Sequence, residues 1–211
     1  MTPSDMPRRL AVGNVPGVTL TKWRTIWADR FRGVPLDVVE VAEQNVRREL
    51  DAGTVDLCFA RLPVDTADLH AIKLWDETPA AWVAKDHPIA LYDSVTLADL
   101  AGETVLDVVD DDSLSRIAVG EAVLRVPQSV ARSHSRRDLA HRPITDADPT
   151  TIALLWRVDN ENPLIDEFIG IVRGRTANSS RTTQERSAKA GSARQQPRKN
   201  KTKNEGRRGR R

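Results

Sequence analysis

The feature that most constrains this chain is the alternation of strand-like and helix-like patterns over residues 9–60. Leu10-Ala11-Val12-Gly13 is a short apolar run that stops at the turn Pro16-Gly17-Val18-Thr19, as a buried strand does. Leu20, Trp23, Ile26, Trp27 and Phe31 then recur at helical spacing until Gly33, a stop signal. Pro35–Val41 is rich in β-branched residues and reads as a second strand. Glu43–Asp51 reads as a helix ending near Gly53, and Val55–Ala60 as a third strand. Strand, helix, strand, helix, strand in that order implies an α/β fold with a parallel sheet and right-handed crossovers.

The pattern continues. Leu69–Trp75 and Ala80–Ala84 read as strands, Leu97–Leu100 as a short helix, and Thr104–Val109 as a strand followed by the polar break Asp110–Ser113. Ala122–Val126 reads as a strand that ends at Pro127, where Gln128–Arg132 begins a helix. Ile152–Trp156 is the last strong strand. Leu164, Phe168, Ile169, Ile171 and Val172 give one apolar side to a helix over Pro163–Arg173, with Asn160 or Asn162 as its cap.

Charge divides the chain at this last helix. Residues 173–211 hold 14 Lys and Arg against 2 Asp and Glu, a net +12, whereas the first 172 residues carry a net −10. Beyond Gly174 no apolar side chain exceeds alanine, so residues 174–211 are expected to be a disordered basic tail. Arg198, Lys199, Lys201, Lys203, Arg207, Arg208, Arg210 and Arg211 would bind DNA or RNA phosphates without sequence preference; no aromatic side chain is present there to stack on bases. A tail that merely solubilises the chain is the competing reading.

Other function classes lack a motif. Cys58 is the single cysteine and sits in an apolar run, which excludes an internal disulfide and fits a buried, inert thiol in a reducing compartment. The residues before Leu10 hold no secretory signal and no segment is apolar for the length of a membrane span, so a cytoplasmic location is expected. His70, His87, His134 and His141 are scattered without metal-ligand spacing, and Gly13 and Gly17 do not complete a phosphate loop. Asp110-Asp111-Asp112 reads as a cation-attracting loop or, more simply, as a solvated one. No enzyme activity and no cofactor are expected.

Four stretches resemble one family in order and spacing. They are Leu10–Gly17, Leu50–Leu57 with its Gly53 and Asp56, Ala84–Ala90 with Asp86-His87-Pro88, and Thr96–Gly102. Together they identify residues 9–173 as similar to the effector-binding domain of LysR-type transcriptional regulators. The resemblance implies a two-lobe α/β fold like that of type 2 periplasmic binding proteins, with the effector in the cleft between lobes. It implies lobe I over about 9–78 and 158–173 and lobe II over about 79–157, with hinge crossings near Pro79–Ala84 and Ile152–Arg157. It also implies pairing with a second copy or with a LysR-type relative.

Within such a fold, ligands bind beyond the carboxyl ends of the strands. Pro16, Gly17, Val18, Thr19 and Thr21 follow strand one and open a helix, whose free N–H groups favour an anion. Arg61, Leu62 and Pro63 follow strand three, and Arg61 suits a carboxylate. Gln128 and Ser129 face them from the second lobe. A small organic acid is therefore the expected effector. Each residue also has a plainer reading: Thr19 and Thr21 as caps, Arg61 as a solvated charge, Gln128 and Ser129 as a helix start, and Trp23 and Trp27 as core.

Two departures from the family stand out. The helix-turn-helix module that precedes this domain in the family is not among residues 1–8, so operator reading is not implied. Only 13 residues separate Val109 from Val123, where the family holds more structure, which implies a shortened second lobe.

Overall fold

The computed structural model describes residues 9–134 and 136–175. The tail residues named above lie outside this range.

Two sheets divide the described residues. The first contains β1 (Leu10–Asn14), β2 (Leu36–Glu40), β3 (Leu57–Arg61), β4 (Leu69–Glu77) and β9 (Thr150–Arg157), in the order β2-β1-β3-β9-β4. β1 runs parallel to β2 and β3, as the opening alternation predicts, while β9 runs antiparallel to both β3 and β4. The second contains β5 (Pro79–Ala84), β6 (Val105–Leu106), β7 (Val123–Pro127) and β8 (Leu139–Pro143), in the order β6-β7-β5-β8. The chain passes from first sheet to second at Thr78 and returns between β8 and β9.

The return crossing therefore precedes Thr150 and does not fall within Ile152–Arg157. Ile152, Ala153, Leu154 and Leu155 are fully buried because β9 is an interior strand of the first sheet, flanked on both edges. A continuous apolar run is what such a position requires, so β9 groups with lobe I, which moves the expected boundary from residue 157 to residue 149.

Helices α1 (Thr21–Arg30), α2 (Val46–Asp51) and α5 (Leu164–Val172) belong with the first sheet. Trp27 of α1 is 1% exposed and lies 5.9 Å from Phe168 of α5, whose ring meets Phe59 of β3 edge-on at 6.2 Å. Burying a side chain such as Phe168 stabilises by about 2–3 kcal/mol. Trp23, four residues before Trp27, is partly buried and stacks on Phe59 at 4.8 Å. Both tryptophans are thus core residues. Asp56 joins three elements: one carboxylate oxygen accepts from the Ala11 N–H and the other from Asn162 Nδ2. Asn162 in turn accepts from the Leu164 N–H and so starts α5.

The second sheet is covered on both faces, as its alternation dictates. Ala81, Val83 and Val123 face a cluster with Ile89, Val95 and Ile144. Trp82, Leu124 and Val126 face another with Ile117, Val130 and Leu139. α3 (Asp111–Ala118) and α4 (Gln128–Ser133) contribute to the latter. The Asp110–Asp112 run is a helix start: Asp110 accepts from the Ser113 N–H at 2.7 Å, and Ser113 Oγ accepts in return from the Asp110 N–H at 2.9 Å. This capping box explains why helix α3 begins at Asp111, inside the stretch read as a polar break. The expected strand Thr104–Val109 is reduced to Val105–Leu106, after which Asp107, Val108 and Val109 leave the sheet. Leu97–Leu100 forms only a single 3₁₀ turn, Ala98–Leu100. β8 has no counterpart in the sequence reading, since Leu139-Ala140-His141-Arg142-Pro143 lacks an apolar period.

Among the described residues no helix is long and apolar enough to cross a membrane.

Candidate functional site

The carboxyl ends of β1, β2 and β3 open toward the second sheet. A cleft of about 490 Å³ lies there, bordered on one side by Pro16, Glu43 and Arg61 and on the other by Val108, Val126 and Val130. Pro127, His134 and Thr150 complete its rim. A larger recess of about 590 Å³ lies between α1 and residues 33–36, but it belongs to the first lobe alone and is remote from the strand tips.

Arg61, the last residue of β3, organises the floor. Its side chain is 4% exposed and makes three contacts. Nε donates to Glu77 Oε2 at 2.8 Å, Nη2 donates to the Pro16 carbonyl at 3.2 Å, and Nη1 donates to Glu43 Oε1. Glu77 is itself 5% exposed, so this pair is fully withdrawn from water. Arg61 is thus neither a solvated charge nor a free carboxylate receptor. Two internal carboxylates already occupy its fork.

The other oxygen of Glu77 ties the lobes together. Ser129 Oγ, at the start of α4, donates to Glu77 Oε1 at 2.5 Å. Beside it, the Gln128 N–H donates to the Thr78 carbonyl at 2.9 Å. Gly17 closes the same seam from the first lobe. Its φ is +88°, and a Cβ there would come within 2.8 Å of both Ser129 Oγ and the Val130 nitrogen. Only a residue without a side chain fits this turn against α4. Asn14 holds the turn from below, donating to the Val18 carbonyl at 3.0 Å.

The expected site residues therefore separate into groups. Pro16 and Arg61 border the cleft; Gly17, Gln128 and Ser129 form the seam between lobes. Val18 is buried in the core of the first lobe, and Leu62 packs against that core with its N–H on the Thr151 carbonyl. Pro63 is exposed and is not among the residues bordering the cleft. Thr19 is exposed, and Thr21 borders the recess on α1 rather than the cleft. Neither threonine caps α1: its N-cap position is Leu20 and carries no side-chain cap. The N–H groups of α4 face Gly17, and at six residues this helix is too short to develop much dipole.

Sequence reasoning missed Glu43, Glu77, Val108, His134 and Thr150. Glu43 was open to discovery, because it follows β2 and the carboxyl-end rule applies to every parallel strand. Glu77 carried no such signal. It ends a strand on the opposite edge of the sheet, 16 positions from Arg61, and only the insertion of β9 between β3 and β4 sets the two together.

The four histidines do not converge, and the described residues contain no group of three or more His, Cys, Asp or Glu side chains placed to hold a metal. His87 serves as a cap, accepting from the Ile89 N–H through Nδ1 at 3.2 Å. Cys58 is fully buried in β3, and burial pushes its thiol pKa up to about 12.

Comparison with known proteins places this architecture. The LysR substrate binding domain model matches residues 9–122, more than half of the chain. The HTH-type transcriptional regulator CatR of Pseudomonas putida is 26% identical over 154 residues, which cover 58% of this chain and 53% of CatR. The chain thus spans about half the length of that relative. The effector binding domain of a BenM variant superimposes with a TM-score of 0.69 at 19% identity, over 82% of this chain and 97% of that domain. The BenM effector binding domain with its effector benzoate gives 0.66 at 19% identity, over 82% and 96%. The reduced OxyR regulatory domain from Pseudomonas aeruginosa gives 0.62 at 19% identity, over 78% and 93%. These likenesses establish a two-lobe fold of the periplasmic-binding type, and the family match, which runs from β1 into the second sheet, establishes descent: the chain belongs to the LysR substrate binding domain family.

Proposed function

We propose that this chain is the effector-sensing domain of a LysR-type transcriptional regulator, binding a small molecule between its lobes and passing the result on as a change in lobe geometry. The observation that carries the reading is the cleft itself. It lies at the carboxyl ends of three parallel strands, draws walls from both sheets, and at about 490 Å³ falls within the ordinary range for small-molecule sites. The Glu77–Ser129 contact and the Gly17–α4 packing make the two lobes one mechanical unit, so a ligand that alters either one shifts their relative population.

The organic acid expected from the sequence rested on the helix start after strand one, with Thr19 and Thr21, and on a free Arg61. With that guanidinium held by Glu43 and Glu77, the expectation loses its main support. No bond chemistry is assigned to the cleft, and the reading carries a cytoplasmic location with it.

A metabolite screen by thermal shift tests the proposal. A ligand at about 100 times its Kd stabilises the fold by about 2.7 kcal/mol. Val108→Trp fills the cleft at a residue that is 66% exposed, so it leaves folding intact. A hit whose shift disappears in this variant supports the reading; hits that all survive it place binding elsewhere.

Assembly is a second part of the proposal: self-association, or pairing with a full-length relative, transmits the lobe movement. Light scattering coupled to size exclusion checks the first. The basic residues after Arg175 add salt-dependent contact with nucleic acid. Deletion of residues 176–211 is expected to abolish low-salt retardation of DNA; unchanged retardation removes the tail from the account.

A further inference from the structure

The cleft holds more negative charge than its own cation neutralises. Arg61 is the only lysine or arginine among the described residues that border it, and it faces two carboxylates, Glu43 and Glu77. Asp107 on the opposite wall is already balanced by Arg125 Nε at 2.8 Å. His134 lies on the rim with Nδ1 3.1 Å from the Val130 carbonyl. The cleft as it stands is short by one positive charge.

The two glutamates are not equivalent. Glu77 is sealed between Arg61 and Ser129 at 5% exposure, whereas the Glu43 side chain is 48% exposed at the mouth. Glu43 is therefore the carboxylate that a ligand reaches without opening the buried pair. Thr150 adds a second polar group to the border of the cleft. Thr150 Oγ1 is buried and has no hydrogen-bond partner among the described residues, although Thr150 borders the cleft. A buried hydroxyl left in this state is costly unless something else satisfies it. Val108, Val109, Val126 and Val130 supply an apolar wall.

We infer that the effector of this cleft is an organic cation, an ammonium or guanidinium group on an aliphatic or aromatic body, paired with Glu43 and hydrogen-bonded to Thr150. The inference rests on the reading of the cleft as the effector site and adds the charge class. An entering carboxylate meets the surplus negative charge of Glu43, and three donors of Arg61 are already committed. An entering ammonium supplies the missing charge and hydrogen-bond donors for both Glu43 and the Thr150 hydroxyl. The apolar wall accommodates the remainder.

The test pairs ligands that share a skeleton and differ in charge: benzylamine with benzoate, and 1,5-diaminopentane with glutarate, on the full chain. At saturation the amine of at least one pair is expected to raise Tm by about 5 °C, and its carboxylate partner not at all. Glu43→Gln is expected to weaken the amine about tenfold, because it removes a charge-assisted contact at a half-exposed side chain. Stabilisation by a carboxylate that Val108→Trp abolishes overturns the charge assignment and leaves the cleft as the effector site. An amine shift that survives Val108→Trp overturns the site itself. No shift from either pair, or an amine shift indifferent to Glu43→Gln, overturns the assignment to Glu43.

Discussion

Glu77 and Ser129 meet across the two lobes: the serine hydroxyl donates to Oε1 at 2.5 Å while Oε2 of the same carboxylate holds Arg61 Nε at 2.8 Å. One buried side chain thus fixes both the floor of the cleft and the seam beside it.

Removing this carboxylate leaves Arg61 buried with the half-exposed Glu43 as its remaining carboxylate partner beside the Pro16 carbonyl. Glu77→Ala is expected to destabilise the fold by about 3 kcal/mol in urea denaturation, the scale for one side of a buried pair. A loss below about 1 kcal/mol would mean that water reaches Arg61 freely.

Gly17 makes a separate demand on the same seam. With φ at +88° and Ser129 Oγ and the Val130 nitrogen each 2.8 Å from a would-be Cβ, Gly17→Ala strains the backbone and pushes the lobes apart. The expected cost is about 2 kcal/mol. Gly53→Ala is the control, since its φ of +66° is similar but nothing lies within 4 Å of its Cβ. A Gly17 variant no worse than the Gly53 variant would refute the contact.

Acid should reveal the cap of α3. The Ser113 backbone N–H, followed by its side chain, holds the Asp110 carboxyl below the usual carboxylate range. A depressed folded-state pKa stabilises above the unfolded value, and that contribution is lost as pH falls through the folded one. Asn caps equally well without titrating. The Tm advantage of the native chain over Asp110→Asn is therefore expected at pH 6 and expected to shrink as pH falls below the ordinary carboxylate value; an advantage independent of pH contradicts the cap.

Cys58 should be silent in the folded protein. Its thiol is fully buried, and burial raises its pKa to about 12, so the thiolate is scarce at neutral pH. An aromatic disulfide reagent is expected to label it only at denaturant concentrations that unfold the first sheet. Fast labelling without denaturant would show that β3 opens locally.

The opening alternation made β1 and β3 legible, because parallel strands buried on both faces announce themselves as short hydrophobic stretches; β2, an edge strand that is only partly buried, was legible by its β-branched residues. Trp23 and Trp27 were legible as core by their spacing. β8 was not, since His141, Arg142 and Pro143 carry no pattern and pairing with β5 alone makes them a strand. Thr19 and Thr21 do not border the cleft: the turn before α1 leaves Thr19 exposed, and Thr21 borders the recess on α1.

What the sequence determined by itself is most of the elements and their order, which follow from local periodicity and turn chemistry, while the family came from the resemblance of four short stretches. What only the tertiary structure decided is the electrostatics of the cleft. Arg61 is a cation in any reading of the chain, but whether it is free for a ligand depends on Glu43, which arrives from the helical turn after β2, and Glu77, which arrives from β4. Charge pairing falls off with distance in space and is indifferent to distance along the chain, so it is fixed only once β9 has inserted between β3 and β4.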